Sequence, residues 1–276
     1  MNTNLLSRAW NSVFHPTARL NSDFPWDLGK SAKTYGVALV VYFAATFLSA
    51  LGVIGLVMLT ALYDANMPLR IFSDHYLPFL VISSVVSFVV GFGCEVWYLK
   101  RQLGKDNLSL KKIVGFNLDS FKGKKWSVIW RGVVTWLVII IFSKFVEMIP
   151  MPEIVDPAAD FLKSLAGWPL YVLAVLVTLG PIFEEVIFRG FLYNMTRSAI
   201  SKNGTTRRVT ADVVALVVSS AAFAIMHFNL SGFLAYFVAG AILAESYRRS
   251  GSLWVPIIAH MLNNGTAVVL LLLSMN

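Results

Sequence analysis

One cysteine, Cys94, occurs in 276 residues, so an intrachain disulfide and a cysteine-based zinc site are both excluded. Charge is scarce as well. Asp, Glu, Lys and Arg make up 14% of the chain, where soluble domains carry about 25%. No serine has the flanks of a nucleophile elbow, which sets aside an acyl-enzyme route, and the helical His-Glu-x-x-His zinc signature is absent. The N-terminal stretch has Arg8, Arg19, Asp23, Asp27 and Lys30 but no apolar core of a cleavable signal peptide, so it is expected to be retained. There is no low-complexity segment, repeat or composition shift, and 1–276 is therefore read as one domain.

What fills the chain is apolar. Hydrophobic residues account for 57% and the mean hydropathy is +0.68, which places the protein in a bilayer. Apolar runs at about 37–62, 77–99, 128–149, 167–188, 211–227, 230–247 and 253–274 predict an all-α, polytopic bundle of seven helices, give or take one, around a buried polar cavity. The net charge of +8 does not indicate nucleic acid, because the basic residues cluster between apolar runs and no recognition motif accompanies them. Lys100, Arg101, Lys105, Lys111, Lys112, Lys122, Lys124 and Lys125 mark the loop after the second helix as cytosolic, whereas the loop with Glu153, Asp156 and Asp160 reads as external. The expected location is the cell membrane, with residues 1–36 as a cytosolic or interfacial tail resting on lipid through Trp10, Phe14, Phe24 and Trp26. Arg131 is expected to snorkel, and Glu245 to pair with Arg248 or Arg249. Glu95 has no local partner and is a secondary candidate for the cavity.

The exception to this apolar pattern is Gly180-Pro181-Ile182-Phe183-Glu184-Glu185-Val186-Ile187-Phe188-Arg189. Carboxylates at bilayer depth cost several kcal/mol (~3 or more) unless paired or facing water, so this run is a functional-site candidate. On a helix, Glu185 and Arg189 share a face while Glu184 points about 100° away. Glu185 can thus be held by Arg189, leaving Glu184 for a separate cavity. Gly180-Pro181, one turn earlier, is able to kink the helix. Two of the four histidines fall within apolar runs. His227 follows Phe223 by one turn, so the ring can restrict its rotamer, and His260 precedes Asn264 by one turn.

Glu, His and His with a water fit three chemistries. Glu184 and His227 could activate water against an amide carbonyl, with His260 and Asn264 donating to the oxyanion. Alternatively Glu184, His227 and His260 could ligate zinc with water at the open position. The same polar cluster would also serve a proton or ion pathway in a transport or immunity protein.

The ordered set Glu184-Glu185-x-x-x-Arg189, Phe223-x-x-x-His227 and His260-x-x-x-Asn264 resembles the CAAX protease and bacteriocin-processing (Abi) family, which includes the type II CAAX prenyl endopeptidases. The resemblance covers about 167 to the C-terminus, the motif-bearing half. It implies an intramembrane endopeptidase in which Glu184 is the base, His227 its partner on water, and His260 with Asn264 the oxyanion pair. Glu185, Arg189 and Phe223 would support the site. It implies no cofactor, with zinc as the lesser alternative, and a membrane-associated peptide or protein as substrate. Eukaryotic members of the family trim prenylated proteins, while bacterial ones are linked to peptide maturation and bacteriocin immunity.

Overall fold

The computed structural model describes residues 24, 26–68, 71, 76–116, 125–149, 170–201 and 208–274. Among these the elements are α1 (Leu28–Leu59, extended by a 3-10 turn Thr60–Leu62), α2 (Tyr76–Lys105), the short α3 (Leu110–Ile113), α4 (Lys125–Glu147), α5 (Leu170–Glu185), a π-helical segment (Val186–Tyr193), α6 (Asn194–Ser201), α7 (Arg208–Met226), α8 (Phe233–Ser250) and α9 (Trp254–Ser274). No strand occurs among the described residues. Helices satisfy their own backbone groups, which hydrocarbon requires. Four of them, within 28–62, 82–105, 126–146 and 209–226, are long and apolar enough to cross a membrane, while the apolar stretch 254–270 is shorter.

Local chemistry sets the helix ends. The Asp27 carboxylate accepts from the Lys30 amide at 2.7 Å and starts α1. Gly251, at φ 65°, turns the chain left-handed after α8, and its amide donates to the Tyr247 carbonyl at 2.8 Å.

The chain forms two compact units, one of residues 32–108 and one of 1–31 with 109–276. In the first, Gly91 of α2 lies so near α1 that a Cβ there would stand 2.2 Å from Thr46 Oγ1. Tyr42 packs on Phe92, with ring centroids 4.6 Å apart. Glu95 is buried in this unit, and its Oε1 has no hydrogen-bond partner among the described residues.

The second unit holds the motif-bearing half. Helix α9 packs along α4, α7 along α8, and α8 against α4, while α5 meets α9 and the π segment meets α7. Ile139, Leu243 and Ala259 bring α4, α8 and α9 into one core. A Cβ on Gly132 would lie 2.6 Å from Ile258 Cγ2, so α4 and α9 touch closely there. The carboxamide of Asn194 donates to the Ile113 carbonyl at 3.0 Å and to the Tyr247 hydroxyl at 2.7 Å, tying α3 to α6 and α8.

Three sequence-based expectations change. The helix expected to end near Phe188 continues to Ser201. Hydropathy stops it early because Arg189, Asn194 and Arg197 find protein partners, the last an ion pair with Asp212. Phe24 and Trp26 do not lie on lipid, since both are buried and the Ser198 hydroxyl donates to the Phe24 carbonyl at 2.6 Å. The guanidinium of Arg131 does not snorkel to solvent either, as the residue is 4% exposed. Trp10, Phe14 and the acidic loop with Glu153 lie outside the described residues.

Candidate active site

Helix α5 runs through Pro181 to Glu185 without a break, and the ladder widens only beyond the carboxylates, in the π segment. Such wide turns are rare and cluster at functional sites. All eight residues of this one are buried, so Arg189 has to find its partners inside the protein.

It finds them at once. Arg189 Nη1 donates to Glu185 Oε1 at 2.9 Å, with both side chains fully buried. Nη2 donates to the Gly240 carbonyl of α8 at 3.1 Å. Glycine at 240 lets α8 pack closely on α7 here, since a Cβ would stand 3.2 Å from both Phe223 and the Ser220 backbone. The flat face of the guanidinium lies over the Phe223 ring, 4.5 Å from its centroid.

His260 of α9 enters between the two carboxylates. Its Nδ1 lies 2.9 Å from Glu185 Oε1, and its Nε2 lies 3.8 Å from Glu184 Oε2. A carboxylate only accepts, so with Glu185 ionised Nδ1 carries a hydrogen and Nε2 faces Glu184. Glu184 is less enclosed, with an 18% exposed side chain. Its Oε2 has no hydrogen-bond partner among the described residues.

His227 stands in the turn between α7 and α8. Its Nδ1 lies 2.8 Å from the Phe223 carbonyl, an acceptor that again assigns the hydrogen to Nδ1 and leaves Nε2 as a base. The imidazole stacks on Tyr236 with centroids 4.0 Å apart and planes 24° apart. Phe223 joins the histidines, with centroids 4.6 Å from His227 and 5.6 Å from His260, and it also meets Phe188 edge-on. Its place is thus wider than the rotamer restraint expected from one turn of spacing.

Glu184, Glu185, Arg189, Phe223, His227 and His260 therefore form one neighbourhood, built from three stretches of the chain, 184–189, 223–227 and the turn of α9 at 260. His227 makes no ion pair with either glutamate. Asn264, one turn beyond His260 and half-buried, makes no hydrogen bond to another described residue. Among the described residues no three His, Cys, Asp or Glu side chains are grouped as metal ligands. Sequence reasoning missed Tyr236 and Gly240. Their four-residue spacing places them on one face of α8, but nothing in the sequence says that this face meets His227 and Arg189.

A carboxylate–histidine site buried in a helical membrane protein defines the class. The model of the family described as type II CAAX prenyl endopeptidase Rce1-like matches residues 166–266, a range that includes every residue of this neighbourhood. The membrane-embedded CAAX protease MroQ of Staphylococcus aureus (strain USA300) is 30% identical over 174 residues, covering 61% of this chain and 68% of that protein. YdiL of Bacillus subtilis (strain 168) is 33% identical over 109 residues, 40% of each chain. No solved structure matches. The chain belongs to the Rce1-like family of CAAX endopeptidases.

Proposed function

We propose that this protein is an intramembrane endopeptidase that hydrolyses a peptide bond of a membrane-associated peptide or protein with a water activated by Glu184 and His227. The observation that carries the reading is the chain Arg189–Glu185–His260–Glu184, with contacts of 2.9, 2.9 and 3.8 Å, to which the Phe223 ring joins His227. Glu184 and His227 take the proton of water as its oxygen attacks the carbonyl carbon. The oxyanion is met by His260 and Asn264. Only the doubly protonated His260 ring donates both to Glu185 and to an oxyanion, so this role requires the imidazolium. As the C–N bond breaks, the proton held by Glu184 passes to the leaving amine. Glu185 and Arg189 orient His260, and Phe223 spaces the two imidazoles. The N-terminus and the basic loop after α2 are assigned to the cytosol.

The purified, reconstituted protein tests this reading through its metal dependence. After exhaustive chelation it is expected to cleave at its original rate with far less than one equivalent of bound metal. Loss of activity restored by Zn²⁺ would instead make Glu184, His227 and His260 zinc ligands. Proton-coupled uptake without cleavage would favour a transport role for the same cluster.

A further inference from the structure

Helices α4 and α8 run antiparallel, since Val128 meets Val255 just past the end of α8 while Ile139 meets Leu243. Between them lies a cavity of about 360 Å³ that touches none of the proposed catalytic side chains. Its walls have two characters. Val134, Val138 and Phe142 of α4 and Phe237, Val238 and Ile242 of α8 make one part mainly apolar, and the Thr135 hydroxyl among them donates to the Arg131 carbonyl at 2.8 Å. Arg131, Glu245 and Arg249, with Ser246 and Ser250, make the other end polar. From Arg131 to Phe142 the rise is about 16 Å at 1.5 Å per residue, a long and narrow space with charge at one end.

The charge there has a definite sign. Both oxygens of Glu245 are already taken by Arg248, through Nε at 2.6 Å and Nη2 at 2.7 Å, and Arg249 adds a further ion pair to Oε1. On the cavity wall two guanidiniums, Arg131 and Arg249, stand against the one carboxylate of Glu245, while Arg248 lies off the cavity and also approaches Asp212 at 3.8 Å, so the polar end carries a net positive charge. Arg131, at 4% exposure, is held within the protein and not at its rim. At the other end Phe142 is 49% exposed and stands beside Ile141 and Phe145, also exposed. The apolar end thus adjoins a surface suited to hydrocarbon, while the cationic end lies at the helix terminus that positive-inside orientation puts near the anionic cytosolic leaflet.

We propose that this cavity holds one acyl chain of an anionic phospholipid, with the headgroup phosphate on Arg131 and Arg249. Arginine presents donors in a fork that matches phosphate oxygens, and the apolar walls take the chain. A transmembrane peptide segment would fill the apolar part equally well but would bring no charge to match the net positive end. Free phosphate would use the cationic end and gain nothing from the walls. Helix α8 separates the bound lipid from the site and offers Gly240 to Arg189 on its other side.

Native mass spectrometry of the full chain, released from micelles with equal phosphatidylglycerol and phosphatidylcholine, tests the proposal. The wild type is expected to retain phosphatidylglycerol in about tenfold excess, and Arg249→Gln to lower that preference by about fivefold for the lost positive charge. Arg249 is an end residue of α8 and Arg248 keeps Glu245 paired, so this variant should fold. Ala241→Trp fills the cavity from α8 and is expected to lose both lipids. Inorganic phosphate and glycerophosphoglycerol should not displace the bound lipid. No lipid preference in the wild type, or an unchanged preference in Arg249→Gln, would overturn the assignment. So would displacement by inorganic phosphate, or a co-purified apolar peptide in place of lipid.

Discussion

Glu184→Gln is expected to leave a folded, membrane-inserted protein whose cleavage rate falls by about 10²- to 10⁴-fold, the usual range for loss of a general base. The amide keeps the size of the carboxylate but cannot accept the proton of water. Folding should be spared for a reason visible in the site. Among the described residues Glu184 Oε2 makes no hydrogen bond and has as its only ion-pair contact the 3.8 Å approach to His260. A thermal unfolding midpoint within about 2 °C of wild type, a shift small for chains of this size, together with lost cleavage in a reconstituted assay, checks both halves. A folded Glu184→Gln protein with full activity would remove the proposed base.

The neighbouring position should respond in the opposite way. Glu185→Gln takes the charge from a fully buried carboxylate that accepts from Arg189 and His260 at 2.9 Å each. Arg189 would remain buried without a compensating carboxylate, keeping the neutral Gly240 carbonyl and the faces of Phe223 and Phe188. Breaking a buried pair from one side typically costs about 3–5 kcal/mol. Folded yield should fall, and the unfolding midpoint should drop on the order of 10 °C. Replacing both partners, Glu185→Leu with Arg189→Met, should recover much of that stability because no lone charge is left. It should not recover activity, since His260 Nδ1 then lacks its acceptor. A Glu185→Gln protein as stable as wild type would show that the pair does not hold this part of the fold.

Much of this architecture can be read from one-dimensional pattern. Apolar runs separated by basic or acidic loops predict the seven long helices, and the Glu185–Arg189 pair follows from one helical turn of spacing. Likewise, Glu245 pairs with Arg248 and Arg249 as neighbours on α8. What escapes such reading depends on contacts across the fold. The approach of His260 to Glu185 spans 75 residues, and the reach of Arg189 to Gly240 spans 51. The π segment is equally hidden, because Val186–Tyr193 has an ordinary apolar helical composition. Hydropathy also misplaces residues whose polarity is met by protein, as with the early end at Phe188 and the burial of Arg131. Phe24 and Trp26 show the converse, aromatic side chains suited to a membrane surface but used inside the protein.

The most direct measurement follows the oxygen of water into product. Purified protein is incubated in H₂¹⁸O with membranes from source cells that lack it, and new peptide C-termini are analysed by mass spectrometry. Wild type is predicted to generate C-termini that carry one ¹⁸O in the new carboxylate, and Glu184→Gln is predicted to generate none of them. The account would be contradicted if wild type produced no new termini, or if Glu184→Gln produced the same set.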